Sequence, residues 1–461
     1  MEVDGEVQVD LNFSELAKQS PSVSYIAYGG DHGDQPNDRS FCLNGIVRQD
    51  RSWSPQAYEV HKVHEPIHVS QAILNEEDEP WRFIVRNEYD FLDLKHISAS
   101  FDLLEDGKVI AKGSLPLPDC EPGERKGFEI PRPKAGVMSE EKTYHLRLGF
   151  FEIDGEKKGR KVAFSEHLVQ SGPGLTKAKK AAVEWNEKGE EILAKSKEVE
   201  AVFSKNSGSL LSYRVGGKEQ LAGPLELNFW RPPINNDEGA KYPAKLSSWY
   251  NVGRKMKVKD FSRKGSQVSF NLRLGVGSSD GVIVYTFEEG GALRVETTIT
   301  PKKTPILPRV GMQLQLLAEQ KEWAWFGLGP HENYVDRKAS AWTGIHKGTV
   351  DDLFTLYSDP QESCQRGEVR WATFTGAGRS LRIEALGGEF LEIGAYPYAP
   401  QDIELARHPQ DLRSSETIFV NIDHKQMGVG GTNSWGQEPL GKYRIKPKGS
   451  YQYSFRLQPE S

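Results

Sequence analysis

Residues 31–44, DHGDQPNDRSFCLN, gather more polar chemistry than any other short stretch of the chain. Asp31, Asp34 and Asp38 sit there with Asn37, Asn44, His32 and Arg39. The stretch follows Val23 to Tyr28, where apolar and small residues alternate as in a short buried strand. Behind a strand of a (β/α)8 barrel, that position is the catalytic face. Asp and Asn in loops rich in Gly and Pro also cap turns and helices, so spacing alone leaves both readings open.

Three further stretches hold residues that could do chemistry. At 228–239, NFWRPPINNDEG, paired prolines precede three amide or acid residues and a glycine, which describes either a well-fixed functional loop or a structural bend. At 325–340, WFGLGPHENYVDRKAS, His331, Glu332, Asp336 and Arg337 resemble an acid/base set. Charged groups in a strand-to-loop turn usually bond one another, so this stretch reads as architecture. At 427–436, MGVGGTNSWG, the glycines invite a phosphate-loop reading, but neither GK(S/T) nor a helix follows. Trp435 on its own reads as core packing, and His424 as a structural histidine.

The elements that must position these residues are mostly strands. The barrel-like piece comprises one strand, a loop and a helix-like run through Tyr58 and His61, and a lone parallel strand cannot bury both its faces. From Ile67 to about residue 170, period-two runs such as Trp81-Arg-Phe-Ile-Val-Arg alternate with Gly/Pro/Asp turns, giving about seven strands. That count predicts an immunoglobulin-like sandwich, without the Cys…Trp…Cys signature of antibody domains. Residues 171–194, Gly/Pro-rich and then Lys/Glu/Ala-rich, read as a solvated linker with room for a helix. Residues 195–461 continue in short strands and imply one large β-sandwich.

Composition narrows the classes. The 461 residues suffice for about three domains at ~150 residues each. A net charge of −6 gives no basic footprint for nucleic acid, and no apolar run reaches the ~18 residues of a membrane span. The acidic N-terminus lacks a signal-peptide pattern. Cys42, Cys120 and Cys364 are odd in number and scattered, which fits a reducing compartment, so a cytoplasmic protein is expected.

The stretch at 28–45 resembles the last β/α unit of the catalytic barrel in β-galactosidases of glycoside hydrolase family 2, whose pattern reads YGGDFGDxPNDxxFCxNG. His32 stands where that pattern has Phe. The stretch at 228–239 is similar to the family's (F/W)xR(A/P)PxDNDxG segment, with Asn235 for Asp and Glu238 where Arg or an apolar residue is common. The stretch at 325–340 matches W(Y/F/L)GxGPxENYxDRxxA. Tyr357 to Arg366 resembles a P(Q/S)ENGxR segment, with Ser363-Cys364 in place of Asn-Gly. The stretch at 427–436 matches MGxGGxxSW, with Asn433 for a frequent Asp.

The resemblance implies a mainly β protein with three parts. These are the tail of a TIM-barrel catalytic domain (1–63), an immunoglobulin-like sandwich (64–170) and, after the linker, a galactose-mutarotase-like supersandwich (195–461). It implies that the Phe41 carbonyl and the Asn44 side chain help hold a sodium or potassium ion that touches substrate. Asn37 would lie near a magnesium site, Gly239 to Tyr242 would belong to a mobile loop, and Trp435 would stack on the sugar. Retaining hydrolysis needs two carboxylates ~5–5.5 Å apart, and no acidic residue here matches either of the family's two glutamates. The expectation is therefore the C-terminal portion or small subunit of a β-galactosidase, inactive alone and holding the cations poorly alone. Its partners would be a β-galactoside, a barrel-bearing N-terminal part or large subunit, and further copies in an oligomer, with no nucleic acid or membrane. The alternatives are a free-standing carbohydrate-binding β protein and an inactive fragment.

Overall fold

Strand Trp81–Asn87 alternates buried and exposed side chains residue by residue, as a strand does when one face of its sheet meets a core. The computed structural model describes residues 26–73, 80–133, 137–153, 155, 157–175, 178–250, 252–430, 433 and 436–460. Among them, Ile67–Ile73, Trp81–Asn87 and Arg125–Ile130 form one antiparallel sheet. Lys108–Leu115, Ile97–Glu105, Tyr144–Glu152 and Lys161–Gln170 form a second. The inward residues of both, among them Phe83, Val85, Leu146, Leu148 and Phe150, make a single buried cluster. Seven strands in two facing sheets give the sandwich that the period-two pattern predicts.

The remainder of the chain forms a ten-stranded and a nine-stranded antiparallel sheet around one continuous core. Aromatic rings fill much of it: Phe203, Phe270 and Tyr285 cluster at one end, and Trp323, Trp325 and Phe374 at the other. Burying one such ring stabilises by roughly 1.5–3 kcal/mol, so truncating Phe270 to Ala would cost about 3–5 kcal/mol.

The structure departs from the expected linker at 171–194. Glu184–Lys188 pairs with Glu191–Lys195, and the two form the edge of the ten-stranded sheet. Ile192 and Ala194 are buried, Trp185 packs against the core, and its indole donates to the Gly265 carbonyl at 2.8 Å. These apolar residues supply the strand pattern, and the exposed charges of Glu184, Glu187 and Lys188 lie on an edge strand, where they discourage further pairing.

The stretch at 325–340 is architectural. Glu332 is buried and accepts from Arg337 (2.6 Å), the Tyr357 hydroxyl (2.6 Å) and the Cys364 backbone N–H (2.7 Å). Asp336 accepts from the backbone N–H groups of Val429 (3.1 Å) and Gly430 (2.8 Å). A Cβ at Gly428 would lie 2.5 Å from an Asp336 carboxylate oxygen, so a larger residue there would displace that carboxylate.

Before these domains comes a compact piece: a 3₁₀ turn at Arg39–Leu43 and a helix at Pro55–Val63. Ser54 caps the helix by accepting from the Ala57 N–H at 3.3 Å, and Pro55 fits its first turn, where no N–H is needed. The helix docks on the large sandwich. Glu59 accepts from Ala339 N (2.9 Å), Ser340 N (2.9 Å) and Ser340 Oγ (2.7 Å), and Tyr58 stacks on His331 at 4.8 Å.

Candidate functional site

A concavity of about 560 Å³ opens where the N-terminal piece meets the large sandwich. Four stretches distant in sequence line it: 38–49 with Phe41 and Asn44, the loop bearing Asn235 and Glu238, the segment 356–361, and the turn 404–407.

Phe41 lies in the turn Arg39–Leu43, which closes when the Asn44 backbone N–H donates to the Phe41 carbonyl oxygen at 3.2 Å. A carbonyl oxygen has two lone pairs, and the Asn44 side chain is exposed beside it. Both donors are hard, neutral oxygens. They fit an alkali cation that takes further ligands from elsewhere.

Asn37 is otherwise engaged. Its Oδ1 accepts from Arg39 N at 3.1 Å and its Nδ2 donates to the Asp34 carbonyl at 2.9 Å, which shapes the loop. Among the described residues, no group of three His, Cys, Asp or Glu converges as a metal site.

One carboxylate binds two of the lining stretches together. Asp359 Oδ2 accepts from Ser40 Oγ at 2.7 Å and from Asn235 Nδ2 at 2.7 Å. Gln361 Nε2 in turn donates to Asn235 Oδ1 at 2.6 Å. Across the concavity, Tyr28 is buried, donates to the Arg407 carbonyl and packs 4.2 Å from His408. Burial and the nearby Asp359 charge raise the Tyr28 hydroxyl to about pKa 12. Asp31 binds the Tyr28 N–H at 2.8 Å and His408 Nε2 at 2.9 Å. Burial pushes its carboxyl up, but those hydrogen bonds and the His408 and Arg407 charges outweigh it, leaving the pKa below the usual range.

The segment expected to be mobile is a series of short helices. Gly239 ends Asn235–Gly239, and Tyr242 opens Tyr242–Lys245 with its ring buried. The residue in the left-handed region is Lys241, at φ 60°, not Gly239. The close approach here belongs to Gly436, at φ 81°: a Cβ on it would fall 2.1 Å from the Gly239 carbonyl carbon. Beneath this loop, Asp237 pairs with buried Arg231 through two 3.0 Å bonds. Trp435 lies outside the described residues.

Sequence reading does not anticipate Tyr28, Asp359, Glu404 or Arg407 as lining residues. Asp359-Pro360 carries a weak signal, a turn set by proline. Glu404 and Arg407 carry none, because only tertiary packing brings them here.

Residues 195–457 match the family model for the β-galactosidase small chain, 83–170 that for domain 4 of β-galactosidase, and 10–69 that for the TIM barrel domain of glycosyl hydrolases family 2. A β-galactosidase of Priestia megaterium is 29% identical over 454 residues, which is 96% of this chain and 43% of that protein. One from Halalkalibacterium halodurans is 31% identical over 456 residues, 96% of this chain and 44% of its own. One from Lactobacillus delbrueckii subsp. bulgaricus is 30% identical, with 94% and 43% covered. The chain thus spans less than half the length of these relatives. A galactose mutarotase related enzyme from Lactobacillus acidophilus overlaps 60% of the chain and 97% of its own at 10% identity, with a TM-score of 0.34, too low to carry an argument.

Proposed function

The chain belongs to the β-galactosidase small-chain family, and from that premise we propose that it is the C-terminal portion or small subunit of a retaining β-galactosidase. The enzyme hydrolyses terminal β-D-galactose residues of lactose-type substrates, in the cytoplasm and as an oligomer. Retaining hydrolysis needs two carboxylates about 5–5.5 Å apart. In this reading they come from the part of the relatives' length that the chain does not span.

Three of the carboxylates lining or flanking the concavity are already committed. Asp359 holds Ser40 and Asn235, Asp31 holds His408, and Glu404 accepts from the Trp230 indole at 3.2 Å. The role of this chain is to shape one wall of the sugar site. The Phe41 carbonyl and the Asn44 amide would hold sodium or potassium, which offers a hydroxyl of the sugar a positive contact. Trp435 would present its indole to the apolar face of the sugar ring. Magnesium would be held by the rest of the enzyme.

The observation that carries the reading is the apolar surface of the N-terminal piece. Phe41, Ile46, Val47, Trp53 and Val63 are 41–54% exposed within 23 residues, and Phe41 and Val47 border the concavity itself. A single β/α unit leaves such a face uncovered, and the other units of a barrel would cover it. Size-exclusion chromatography of the chain mixed with a chain bearing the rest of the barrel tests this. Co-elution is expected, and separate elution at micromolar concentrations would contradict it.

A further inference from the structure

The outer face of the ten-stranded sheet carries a groove of about 260 Å³ that backs onto the concavity. Strand Gly223–Asn228 pairs with Arg309–Leu317 so that Glu226 lies directly opposite Gln313. Side chains on paired strands alternate between faces. Asn228, Glu226, Gln313 and Gln315 therefore share the outer face, while Leu225, Met312 and Leu314 point into the core.

Two elements raise walls around this polar strip. On one side stand Trp230 and Tyr250, whose rings meet edge to face at 5.2 Å. Tyr250 is 43% exposed. On the other side stands the start of helix Pro400–Leu405, with Pro400 and Gln401. A solvated sheet face needs no such walls.

Several polar groups in the groove retain bonding capacity. Among the described residues, none pairs with the Glu226 carboxylate. Glu226 is exposed, and its surroundings desolvate it enough to raise its pKa above the ordinary glutamate value. Gln313 donates to Asn421 Oδ1 at 2.8 Å and Gln315 accepts from Thr417 at 3.2 Å, so each leaves the other end of its amide for a ligand. A carboxylate and two amides beside aromatic rings suit a ring with hydroxyls on its edge and C–H groups on its faces. Buried Arg309 forms part of the floor, where it is paired with Glu362 and Asp423.

We propose that the groove framed by Glu226, Gln313, Gln315, Trp230 and Tyr250 is a second saccharide-binding site, distinct from the concavity at Phe41 and Asn44. One wall separates the two: Trp230 faces the groove, and Glu404, which holds its indole, faces the concavity. The helix Pro400–Leu405 likewise lines the groove at its start and the concavity at its end. The groove thus lies where a longer saccharide or a second sugar would sit beside the first.

The test is a ligand-observed NMR titration of the chain with lactose and with methyl β-galactoside, repeated on Glu226→Ala, Tyr250→Ala and Asn44→Ala. Circular dichroism melts confirm that each variant is folded. Saturable binding should weaken about tenfold in Glu226→Ala and in Tyr250→Ala, as expected for losing about one charged hydrogen bond or one ring face. Any binding that Asn44→Ala removes belongs to the concavity at Phe41 and Asn44, and the binding that remains should still weaken in Glu226→Ala and Tyr250→Ala. Absence of saturable binding, equal binding by Glu226→Ala and Tyr250→Ala, or loss confined to Asn44→Ala would overturn the proposal. So would displacement of the sugar by tetramethylammonium, which would make the groove a cation site.

Discussion

Asn235 donates its side-chain amide to Asp359 over 2.7 Å, and the same carboxylate oxygen accepts from Ser40 at 2.7 Å. The N-terminal piece and the sandwich loop are therefore held together by one acceptor. An aspartate in place of Asn235 would set two carboxylates against each other within hydrogen-bond distance.

The first prediction follows from that pair. Asn235→Asp should destabilise the docking of the N-terminal piece by roughly 1–3 kcal/mol, the cost of replacing a hydrogen bond with like charges. Adding Asp359→Asn to the same chain should restore most of the loss. Urea denaturation of both single variants and the double variant measures this. Additive losses in the double variant would show that the two residues do not act through each other.

A second prediction concerns Cys364, which is buried at φ 72°, a region where an L side chain is strained. Outside helix caps and turns, glycine usually destabilises relative to alanine by about 0.5–1 kcal/mol. Here the order should reverse, with Cys364→Gly more stable than Cys364→Ala by about 1 kcal/mol. Thermal melts of the two variants decide it, and the ordinary order would contradict the account.

Acid should loosen the same junction. Burial, reinforced by the Arg366 and Arg337 charges, lowers the His331 pKa to about 4. Its ring stacks on Tyr58 and bonds Ser340 Oγ at 2.8 Å. A histidine depressed in the folded state binds fewer protons there than in the unfolded chain. Its contribution is therefore complete above about pH 6.5 and is lost as pH falls towards 4. His331→Gln should flatten the stability profile in that window, as chemical denaturation at a series of pH values would show. An unchanged profile would remove His331 from the explanation.

Much of this architecture is legible in the sequence, for physical reasons. Trp81 to Asn87 alternates cleanly because one face of its sheet meets the core and the other meets water. The strand Glu191–Lys195 is hidden, because flanking charges mask the two residues, Ile192 and Ala194, that bury it. Phe41 and Asn44 are found through the resemblance of their stretch, not through spacing. Asp359 and Arg407 come to the same concavity from over three hundred residues away, and no local pattern encodes that meeting. The same holds for the groove, whose Glu226 and Gln313 become neighbours only through strand register.

Trp435 supplies a fourth prediction. Trp435→Ala should weaken galactoside affinity in the reconstituted enzyme by roughly 1–3 kcal/mol, the loss of one stacking surface. The melting temperature of the chain should change little. A large loss of stability with unchanged affinity would return Trp435 to core packing.

The central claim is that this chain completes an active site whose carboxylates lie elsewhere. Its most direct test is turnover of a chromogenic β-galactoside by the purified chain, alone and mixed with a chain carrying the rest of the barrel. The account predicts no turnover alone and robust, sodium- or potassium-dependent turnover on mixing, diminished by Asn44→Ala. Robust turnover by the chain alone, or none on mixing with a partner that co-elutes with it, would contradict the account.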